Sequence, residues 1–163
     1  MDKRWRPSVT VAAIIERDGR FLMIEEETSG GLKLNNPAGH LDPGESLADG
    51  CAREALEETA WHFTPTALVG VYMARFVKQA DGEDITYLRF AFCGELGAHE
   101  PQRGLDEGIV RVLWMTYDEL RATADRHRSP MVLRCIDDYL AGVRIPLSQV
   151  YTDPSVYGNT VAK

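Results

Sequence analysis

The segment 39–61, GHLDPGESLADGCAREALEETAW, constrains this chain more than any other because it sets six carboxylates against a single arginine. Three of the acids, Glu54, Glu57 and Glu58, fall within five residues. In a helix, residues spaced i, i+3 and i+4 share one face, where like charges repel by about 0.2–0.5 kcal/mol per pair. A fold that contains this segment must therefore compensate for a row of negative charges on one face of a helix.

The same segment predicts where the helix begins, where it ends and which side packs. Ser46 is an N-cap candidate, with Asp49 three residues later as the acidic half of a capping box, so we expect a helix over about 47–59. At about 100° per residue the three glutamates occupy one arc. The opposite side carries mostly small groups, which would let the helix lie close to a sheet: Ala48, Ala52, Ala55, Leu56 and Thr59.

The rest of the chain alternates β-rich runs with loops and two further helices. Strands are predicted near 8–16 and 20–26 around the turn Asp18-Gly19, in the two long runs that flank KQADGED, and in IVRVLWMT. The stretch TSGGLKLNNPAGHLDPGES is expected to be a loop with one short strand. TYDELRA and SPMVLRCIDDYLAG are predicted helices, the second with Pro130 at its first position. This order predicts an α+β fold, an α/β/α sandwich with a mixed central sheet.

Composition narrows the classes of function. A chain of 163 residues with 44% hydrophobic residues fits one domain, 1–147, and a C-terminal extension, 148–163, expected to be partly disordered. The net charge of −7 argues against a broad basic surface for duplex nucleic acid or anionic membranes. Three widely spaced cysteines, a short N-terminal apolar run and the lack of an apolar stretch of about 20 residues predict a cytoplasmic protein without a membrane span.

The acidic helix face has two explanations. A solvated surface is the ordinary one for charged residues on a helix. Against it, the glutamates lie in the middle and late part of the helix, where the macrodipole disfavours anions, and Arg53 is the one cation within the segment. Oxygen ligands without Cys or His suit Mg²⁺ or Mn²⁺ rather than zinc, and Mg²⁺ commonly bridges carboxylates to substrate phosphates. The face therefore indicates a site for a hard cation and a polyphosphate.

The spacing of these residues resembles the Nudix box, Gly-x5-Glu-x7-Arg-Glu-U-x-Glu-Glu-x-Gly-U, in which U is a bulky apolar residue. Six positions match it: Gly39, Glu45, Arg53, Glu54, Glu57 and Glu58. Two positions depart, since Ala55 is small for the first U and Ala60 replaces the last glycine. A left-handed conformation at Ala60 would cost about 1 kcal/mol. With PSVTVAAII, LNNPAGHL, YLRFAF and HRSP, the resemblance extends over about 7–147 to the NudJ branch of the Nudix family.

The resemblance implies the Nudix α/β/α sandwich and a Mg²⁺-dependent hydrolase, with Mn²⁺ as the other candidate metal. The implied substrates are nucleoside di- and triphosphates and thiamine-type pyrophosphates, namely thiamine diphosphate and hydroxymethylpyrimidine diphosphate. Phosphate would leave after a metal-activated water attacks phosphorus. Small phosphate anhydrides are the expected partners of a monomer or homodimer. Two alternatives stay open: a pyrophosphohydrolase of ADP-ribose or another nucleoside diphosphate derivative, and a non-catalytic nucleotide sensor.

The family pattern also assigns roles around the metal. The implied ligands are the carboxylates of Glu54, Glu57 and Glu58 and the backbone carbonyl of Ala38. Glu45 is either a further ligand or the partner of Arg53, which is expected to orient Glu45 or Glu57 through charge-assisted hydrogen bonds. The general base is either Glu57 or Glu58, acting through water, or an acid of the late loop. In that loop, Asp106 and Glu107 are the candidates, and a solvated loop is the ordinary explanation for both.

Five residues are candidates for binding the substrate: Arg89, Lys33, Tyr72, Phe76 and Tyr87. Arg89 lies among apolar neighbours in TYLRFAF, so it either clamps a phosphate or forms an ordinary ion pair on the sheet. Lys33 is a second phosphate candidate. The three aromatic residues either stack on a nucleobase-like ring or belong to the core. His40 is expected to hydrogen-bond behind the ligands rather than to bind the metal.

Overall fold

The structure, a computed structural model, describes residues 4–77 and 82–158. Within these ranges the elements follow in the order β1 (Ser8–Ile14), β2 (Glu16–Arg17), β3 (Arg20–Thr28), β4 (Gly31–Asn35), β5 (Ala38–His40), α1 (Leu47–Thr59), β6 (Trp61–Val77), β7 (Asp84–His99), β8 (Ile109–Thr116), α2 (Tyr117–Ala122), α3 (Met131–Leu140) and β9 (Ile145–Pro146). Short 3-10 helices occupy Ala124–Arg126, Leu147–Gln149 and Pro154–Tyr157.

The strands of the described residues form two sheets. The first has five strands in the order β5-β1-β7-β6-β9 and is mixed, because β1 runs parallel to β7 while its other pairs are antiparallel. The second is antiparallel and holds β2, β3 and β4, with β8 paired to β3. The predicted α+β class with a mixed sheet is confirmed, and a second sheet stands beside the mixed one.

Two apolar clusters lie against the mixed sheet. One contains Ala12 of β1, Val69 of β6 and the α3 residues Val132 and Ile136. The other contains Val11 of β1, Phe92 of β7 and the α1 residues Cys51 and Ala55. Because side chains alternate along a strand, neighbouring residues of β1 reach different clusters. Helices α1 and α3 therefore cover different faces of the sheet.

Local sequence signals place several elements where they were expected. Asp18 and Gly19 both have positive φ, 53° and 75°, as the tight turn between β2 and β3 requires. The two long runs form the antiparallel pair β6–β7, and IVRVLWMT is β8. The middle of the turn between β6 and β7, residues 78–81, lies outside the described residues. Helix α3 begins at Met131, one residue later than predicted, so Pro130 is its N-cap, and the Ser129 hydroxyl accepts from the Met131 amide.

The stretch 28–46 contains two strands, so the prediction of one short strand was wrong. β4 pairs with β3, and β5 pairs with β1 through Thr10, Val11 and Ala12. Neither run is long or apolar enough to predict a strand locally. Long-range pairing stabilises both, and this brings β5 alongside the N-terminal strand.

Helix α1 has the predicted bounds, Leu47–Thr59, and Ser46 caps it by accepting from the Asp49 amide. The Asp49 carboxylate accepts from the Ser46 hydroxyl, rather than from the backbone as the predicted capping box requires. Ala60 ends the helix with φ 59°, which confirms the left-handed cap.

The predicted packing side of α1 was partly wrong. Ala52 and Leu56 are only half-buried, whereas Glu54 and Glu58 are each 7% exposed. The helix contacts β1, β5 and β6, and also β8 of the second sheet. Elements on more than one side therefore bury part of the acidic face as well.

None of the helices in the described ranges is long and apolar enough to cross a membrane. Beyond β9, the chain continues against the second apolar cluster through Leu147 and Val150. Of the predicted extension 148–163, residues 159–163 lie outside the described part.

Candidate active site

Three carboxylates from two elements converge beside helix α1. Glu54, Glu57 and Asp106 each offer one oxygen, and these oxygens lie within 4.8 Å of one another. The Asp106 amide donates to the Glu57 carbonyl at 3.1 Å, which ties the loop before β8 to the helix. A loop 49 residues further along the chain thus completes an acidic cluster that begins on α1.

Strand β5 lies directly against this cluster. A Cβ added to Gly39 would come within 2.2 Å of the Glu54 carboxylate, closer than real Cβ contacts come. One residue earlier, the Ala38 amide donates to Glu58 Oε2 at 2.8 Å. The glycine therefore leaves room for the Glu54 carboxylate, and the β5 backbone holds Glu58.

The buried acids of the cluster hold protons more tightly than ordinary glutamates. The pKa of Glu58 is raised to about 9, mainly by burial; the hydrogen bond from the Ala38 amide opposes this rise, and the negative charges of Glu54, Glu26 and Asp106 add to it. Burial is also the main cause that raises the pKa of Glu54: it outweighs the opposing hydrogen bond and charge of Arg53, and the negative charges of Glu57 and Asp106 add smaller contributions in the same direction as burial. The surroundings of Glu54 and Glu58 disfavour their ionised carboxylates, and a bound cation would offset the repulsion between the negative charges.

Arg53 is the cation that organises the acids of α1. Its guanidinium donates to Glu45 Oε1 at 2.7 Å and Oε2 at 2.9 Å, and to Glu54 and Glu57 at 2.9 Å each. It also donates to the backbone carbonyl of His40 at 2.9 Å. The expected hydrogen bonds to Glu45 and Glu57 are both present. The hydrogen bonds to Glu45 raise the pKa of Arg53, which stays charged.

The donor set fits a hard divalent cation. The converging atoms of Glu54, Glu57 and Asp106 are all carboxylate oxygens, as Mg²⁺ and Mn²⁺ prefer. Two further observations fit a divalent cation. Gly39 leaves room for the Glu54 carboxylate, and the raised pKa of Glu54 shows that its surroundings lack the positive charge that a cation would supply. Glu45 is held by Arg53 and by the Asp42 amide, so both of its oxygens have partners outside the three-carboxylate cluster.

Asp106 and Glu107, the two loop candidates, lie in different surroundings. Both residues are exposed, but the Asp106 carboxylate reaches the α1 acids, whereas Glu107 contributes no oxygen to that cluster. Sequence reasoning named both without separating them. The two acids are adjacent in a loop, so no local pattern in the sequence distinguishes the one that reaches the helix.

Arg89 is placed deep in the molecule. It is 5% exposed, and it donates to the side-chain oxygens of Asn36 at 3.0 Å and Asn35 at 3.1 Å. Its Nε has no hydrogen-bond partner among the described residues. Its hydrogen bonds go to neutral amides, which leaves the charge of the guanidinium uncompensated by them. These contacts are with neutral side chains, so they differ from the ordinary ion pair on the sheet that was the alternative prediction.

Of the other substrate candidates, the three aromatic residues lie on β6 and β7 of the mixed sheet, and Lys33 lies on β4 of the second sheet. Tyr87 contacts Phe76 edge-on, with 5.8 Å between ring centroids, and lies 6.2 Å from the ring of His40. Tyr72 donates to Asp138 at 2.9 Å and packs on the core. Lys33 donates to the Asp125 carbonyl at 3.3 Å. Thus Phe76, Tyr87 and His40 form an aromatic row, whereas Tyr72 and Lys33 are engaged elsewhere.

Comparison with known proteins shows the class of this protein. The model of the NUDIX domain matches residues 4–135, and the chain belongs to the Nudix family. It is therefore a hydrolase that acts on phosphate anhydrides, and the predicted fold is confirmed.

Individual relatives and solved structures show how similar this chain is to known Nudix proteins. Phosphatase NudJ of Escherichia coli K12 is 34% identical over 146 residues, which cover 90% of this chain and 92% of NudJ. A NUDIX hydrolase from Nitrosomonas europaea, a solved structure, is 48% identical with a TM-score of 0.83, covering 91% of this chain and 98% of that one. A MutT NUDIX hydrolase from Burkholderia pseudomallei is 19% identical with a TM-score of 0.66 over 82% of this chain and 98% of its own, and it shares the fold.

Proposed function

We propose that this Nudix hydrolase acts, with Mg²⁺ or Mn²⁺, on nucleoside di- and triphosphates and on thiamine-type pyrophosphates, and that it releases phosphate. The convergence of the Glu54, Glu57 and Asp106 carboxylates carries the proposal, because it supplies the oxygen ligands that such ions need. The likeness to a protein named phosphatase supports the release of phosphate. The thiamine-type substrates, thiamine diphosphate and hydroxymethylpyrimidine diphosphate, come from the resemblance to the NudJ branch.

Glu54, Glu57 and Asp106 would hold the metal, with Glu58 and the Ala38 carbonyl beside them. The cation would supply Lewis-acid chemistry: it polarises a phosphoryl oxygen and lowers the pKa of a coordinated water. It would also neutralise part of the substrate's negative charge, which an acidic site could not do alone.

The chain's own residues position these ligands and handle the proton. Arg53 fixes Glu54 and Glu57 through hydrogen bonds at 2.9 Å, so that their oxygens need little reorganisation. Burial raises the pKa of Glu58 to about 9 without a metal, so Glu58 would act as a base only once a bound cation favours its ionised form. Glu57, Glu58 and Asp106 are thus proposed as the acids from which the general base comes, and Glu107 stays a candidate that would require the loop to move.

Arg89 is proposed to contribute positive charge to the substrate side of the sheet. Its guanidinium is held by Asn35, the last residue of β4, and by Asn36, which leads toward β5. Arg89 lies two residues from Tyr87 on β7 and pairs opposite Thr10, whose partner on β5 is His40. The backbone that presents Gly39 to Glu54 also carries the two amides that hold Arg89.

A panel of substrates with each metal tests this function. Thiamine diphosphate, hydroxymethylpyrimidine diphosphate, ATP, GTP and ADP-ribose are incubated with Mg²⁺, Mn²⁺ or EDTA, and the products are separated and identified. The proposal expects metal-dependent orthophosphate release from the first four. AMP with ribose phosphate as the main product would instead identify an ADP-ribose pyrophosphohydrolase. Tight binding without hydrolysis of any compound would identify a sensor.

A further inference from the structure

The second half of β6 forms an open edge of the mixed sheet. The short strand β9 pairs with β6 at Ala67 and Leu68, and no other strand of the described residues pairs with this side of β6. On its other side, β6 is paired with β7 as far as Val77. The segment 70–77, GVYMARFV, therefore presents backbone N–H and C=O groups at the edge of the sheet, where another strand can pair with them.

Exposure alternates along this edge, but polarity does not follow it. The even-numbered residues are half-buried, on the face where Tyr72 bonds to α3, and the odd-numbered residues are exposed. Three of the four exposed residues are nevertheless apolar: Val71 is 51% exposed, Met73 67% and Val77 53%. An antiparallel sheet that meets water ordinarily carries polar residues at such positions. The edge is therefore bordered by apolar side chains that a second surface would cover.

The segment 70–77 lacks the features by which proteins usually protect a sheet edge, namely lysine, proline, a bulge or a very short strand. It contains no Lys or Pro, and its register with β7 is regular from Gly70 to Val77. Its one charged residue, Arg75, donates to both carboxylate oxygens of Asp84 on β7 at 2.8 Å each. The charge of Arg75 is thus compensated within the same pair of strands, and it does not oppose the approach of another strand.

A groove of about 560 Å³ runs along the open edge. The five consecutive residues 70–74 line one side of it, and Pro130, Met131, Arg134 and Asp138 line the other. Because consecutive residues of a strand point to opposite faces, a groove that contacts all five lies along their backbone rather than over one face. The space beside the edge is therefore open, and α3 would flank a strand that entered it.

We propose that this edge binds the same edge of a second copy of the chain, so that the mixed sheet continues through a dimer. The two strands would run antiparallel about a two-fold axis at Ala74, and each copy would contribute the same surface. Such an interface requires a sequence that matches itself when reversed about its centre. The proposal is independent of the proposed function, because the carboxylates of the acidic cluster lie on α1 and in the loop before β8.

The segment 71–77, VYMARFV, has this symmetry in its chemistry. Reversed about its central alanine, it places valine opposite valine, tyrosine opposite phenylalanine, and methionine opposite the alkyl stem of arginine. The valine and methionine pairs would lie on the exposed face, and the aromatic pairs on the face that α3 covers. Cross-strand pairs of this kind stabilise antiparallel sheets. A strand from an unrelated protein would need no such symmetry, so the pattern favours a second copy as the occupant.

Sedimentation velocity over a dilution series tests the association. The wild-type protein should sediment with twice the mass of one chain. Met73→Lys places a cation opposite Arg75 of the other copy and should weaken association at least about 100-fold, because like charges across an interface oppose binding. Met73 is exposed in a single copy, so the variant should still fold, as circular dichroism would verify. Val110→Lys, at a 50% exposed residue of β8, is the matched control and should associate like wild type.

Cysteine cross-linking tests the register. The proposed axis places the two copies of Ala74 directly opposite each other, with Cα atoms about 4.5–5.5 Å apart, a distance that a disulfide spans. The two copies of Val77 would be about 20 Å apart. With a copper–phenanthroline oxidant, Ala74→Cys should therefore form a covalent dimer, and Val77→Cys should not. The natural cysteines do not compete, because all three are buried.

The outcomes decide the proposal without reference to catalysis. A wild-type protein that is monomeric at every concentration overturns it, as does a dimer that persists in folded Met73→Lys or dissociates in Val110→Lys. Cross-linking that is equal at residues 74 and 77, or that is stronger at 77, overturns the pairing about Ala74. A dimer that Met73→Lys alone dissociates, with a cross-link at residue 74, supports the proposal.

Discussion

Glu25 and Glu58 are two glutamates with nearly equal burial and opposite surroundings. Glu25, on β3, is 3% exposed and is bonded by the guanidinium groups of both Arg111 and Arg126. Glu58, on α1, is 7% exposed, and its bond in the described structure comes from one backbone amide. The hydrogen bond from Arg111 is the main cause that lowers the pKa of Glu25, whereas burial raises that of Glu58 to about 9.

The difference separates an acid whose charge the fold compensates from one whose charge it leaves uncompensated. Around Glu25 the fold itself supplies the compensating cations, so the negative charge is neutralised as soon as the chain folds. Around Glu58 one arginine, Arg53, is shared among its neighbours Glu45, Glu54 and Glu57. Buried acids that outnumber their cations mark the place where a cation from solution is expected.

The largest expected effect is a difference in activity between a substitution in the acidic cluster and a substitution at Glu25. Glu57→Gln removes a charged oxygen from the three-carboxylate cluster and should lower kcat by about 10³-fold, because metal ions contribute several kcal/mol to such reactions. Glu25→Gln should stay within about tenfold of wild type, since Glu25 lies outside that cluster. Steady-state phosphate release measures both. Equal losses of activity in the two variants would contradict the distinction between the acidic cluster and Glu25.

A smaller effect is expected from crowding Glu54. Gly39→Ala places a Cβ where the Glu54 carboxylate now lies and should raise the Mg²⁺ concentration for half-maximal activity by about 10–100-fold. Gly30→Ala is the matched control, since its nearest side-chain neighbour would be 3.6 Å away. A metal titration of the rate measures both. An unchanged midpoint in the Gly39 variant would mean that the glycine does not serve the metal site.

Stability should depend on pH in opposite directions in the two regions. The folded pKa of Glu58 is raised, so in metal-free buffer its contribution is present below the unfolded pKa, about 4.5, and is lost as pH rises toward about 9. Glu58→Gln still accepts from the Ala38 amide but does not ionise, and should be more stable than wild type at pH 8 by about 2 kcal/mol.

Glu25 provides the contrast in the same urea titrations. Its folded pKa is lowered, so its contribution is present above the unfolded pKa and is lost as pH falls through the folded value. Glu25→Gln should therefore be less stable than wild type at neutral pH, by about 1 kcal/mol because both arginines are half exposed, with the deficit closing in acid. Parallel pH profiles for the two variants would refute the contrast.

The smallest effect concerns the end of α1 and involves no charge. Ala60 adopts φ 59°, so Ala60→Gly should stabilise the fold by about 0.5 kcal/mol at every pH, after the loss of a buried methyl group. Ala52→Gly, inside the helix, should destabilise it by about 1 kcal/mol. Urea unfolding of both variants at two pH values measures these changes, and a stabilisation that varies with pH would show that Ala60 is coupled to the acids.

The features that depend on local spacing were predictable. The bounds of α1, the Ser46 cap, the left-handed Ala60 and the bonds from Arg53 to Glu45 and Glu57 all follow from residues within 15 positions of one another.

The features that depend on distant packing were not predictable. The sequence named Asp106 together with Glu107 but did not show which of the two joins the acids, and Arg89 contacts Asn35 and Asn36 more than 50 positions earlier in the chain. The burial of Glu54 and Glu58 requires elements on several sides of α1, which helical periodicity alone does not contain.

The most direct test of the account is Mn²⁺ binding, measured at pH 7.5 by the electron paramagnetic resonance signal of the free ion. The account predicts that the wild-type protein and Glu25→Gln remove Mn²⁺ from solution with equal affinity, and that Glu57→Gln binds it at least about tenfold more weakly. A wild-type protein that leaves the free Mn²⁺ signal unchanged, or a Glu57 variant that binds as tightly as wild type, would contradict it.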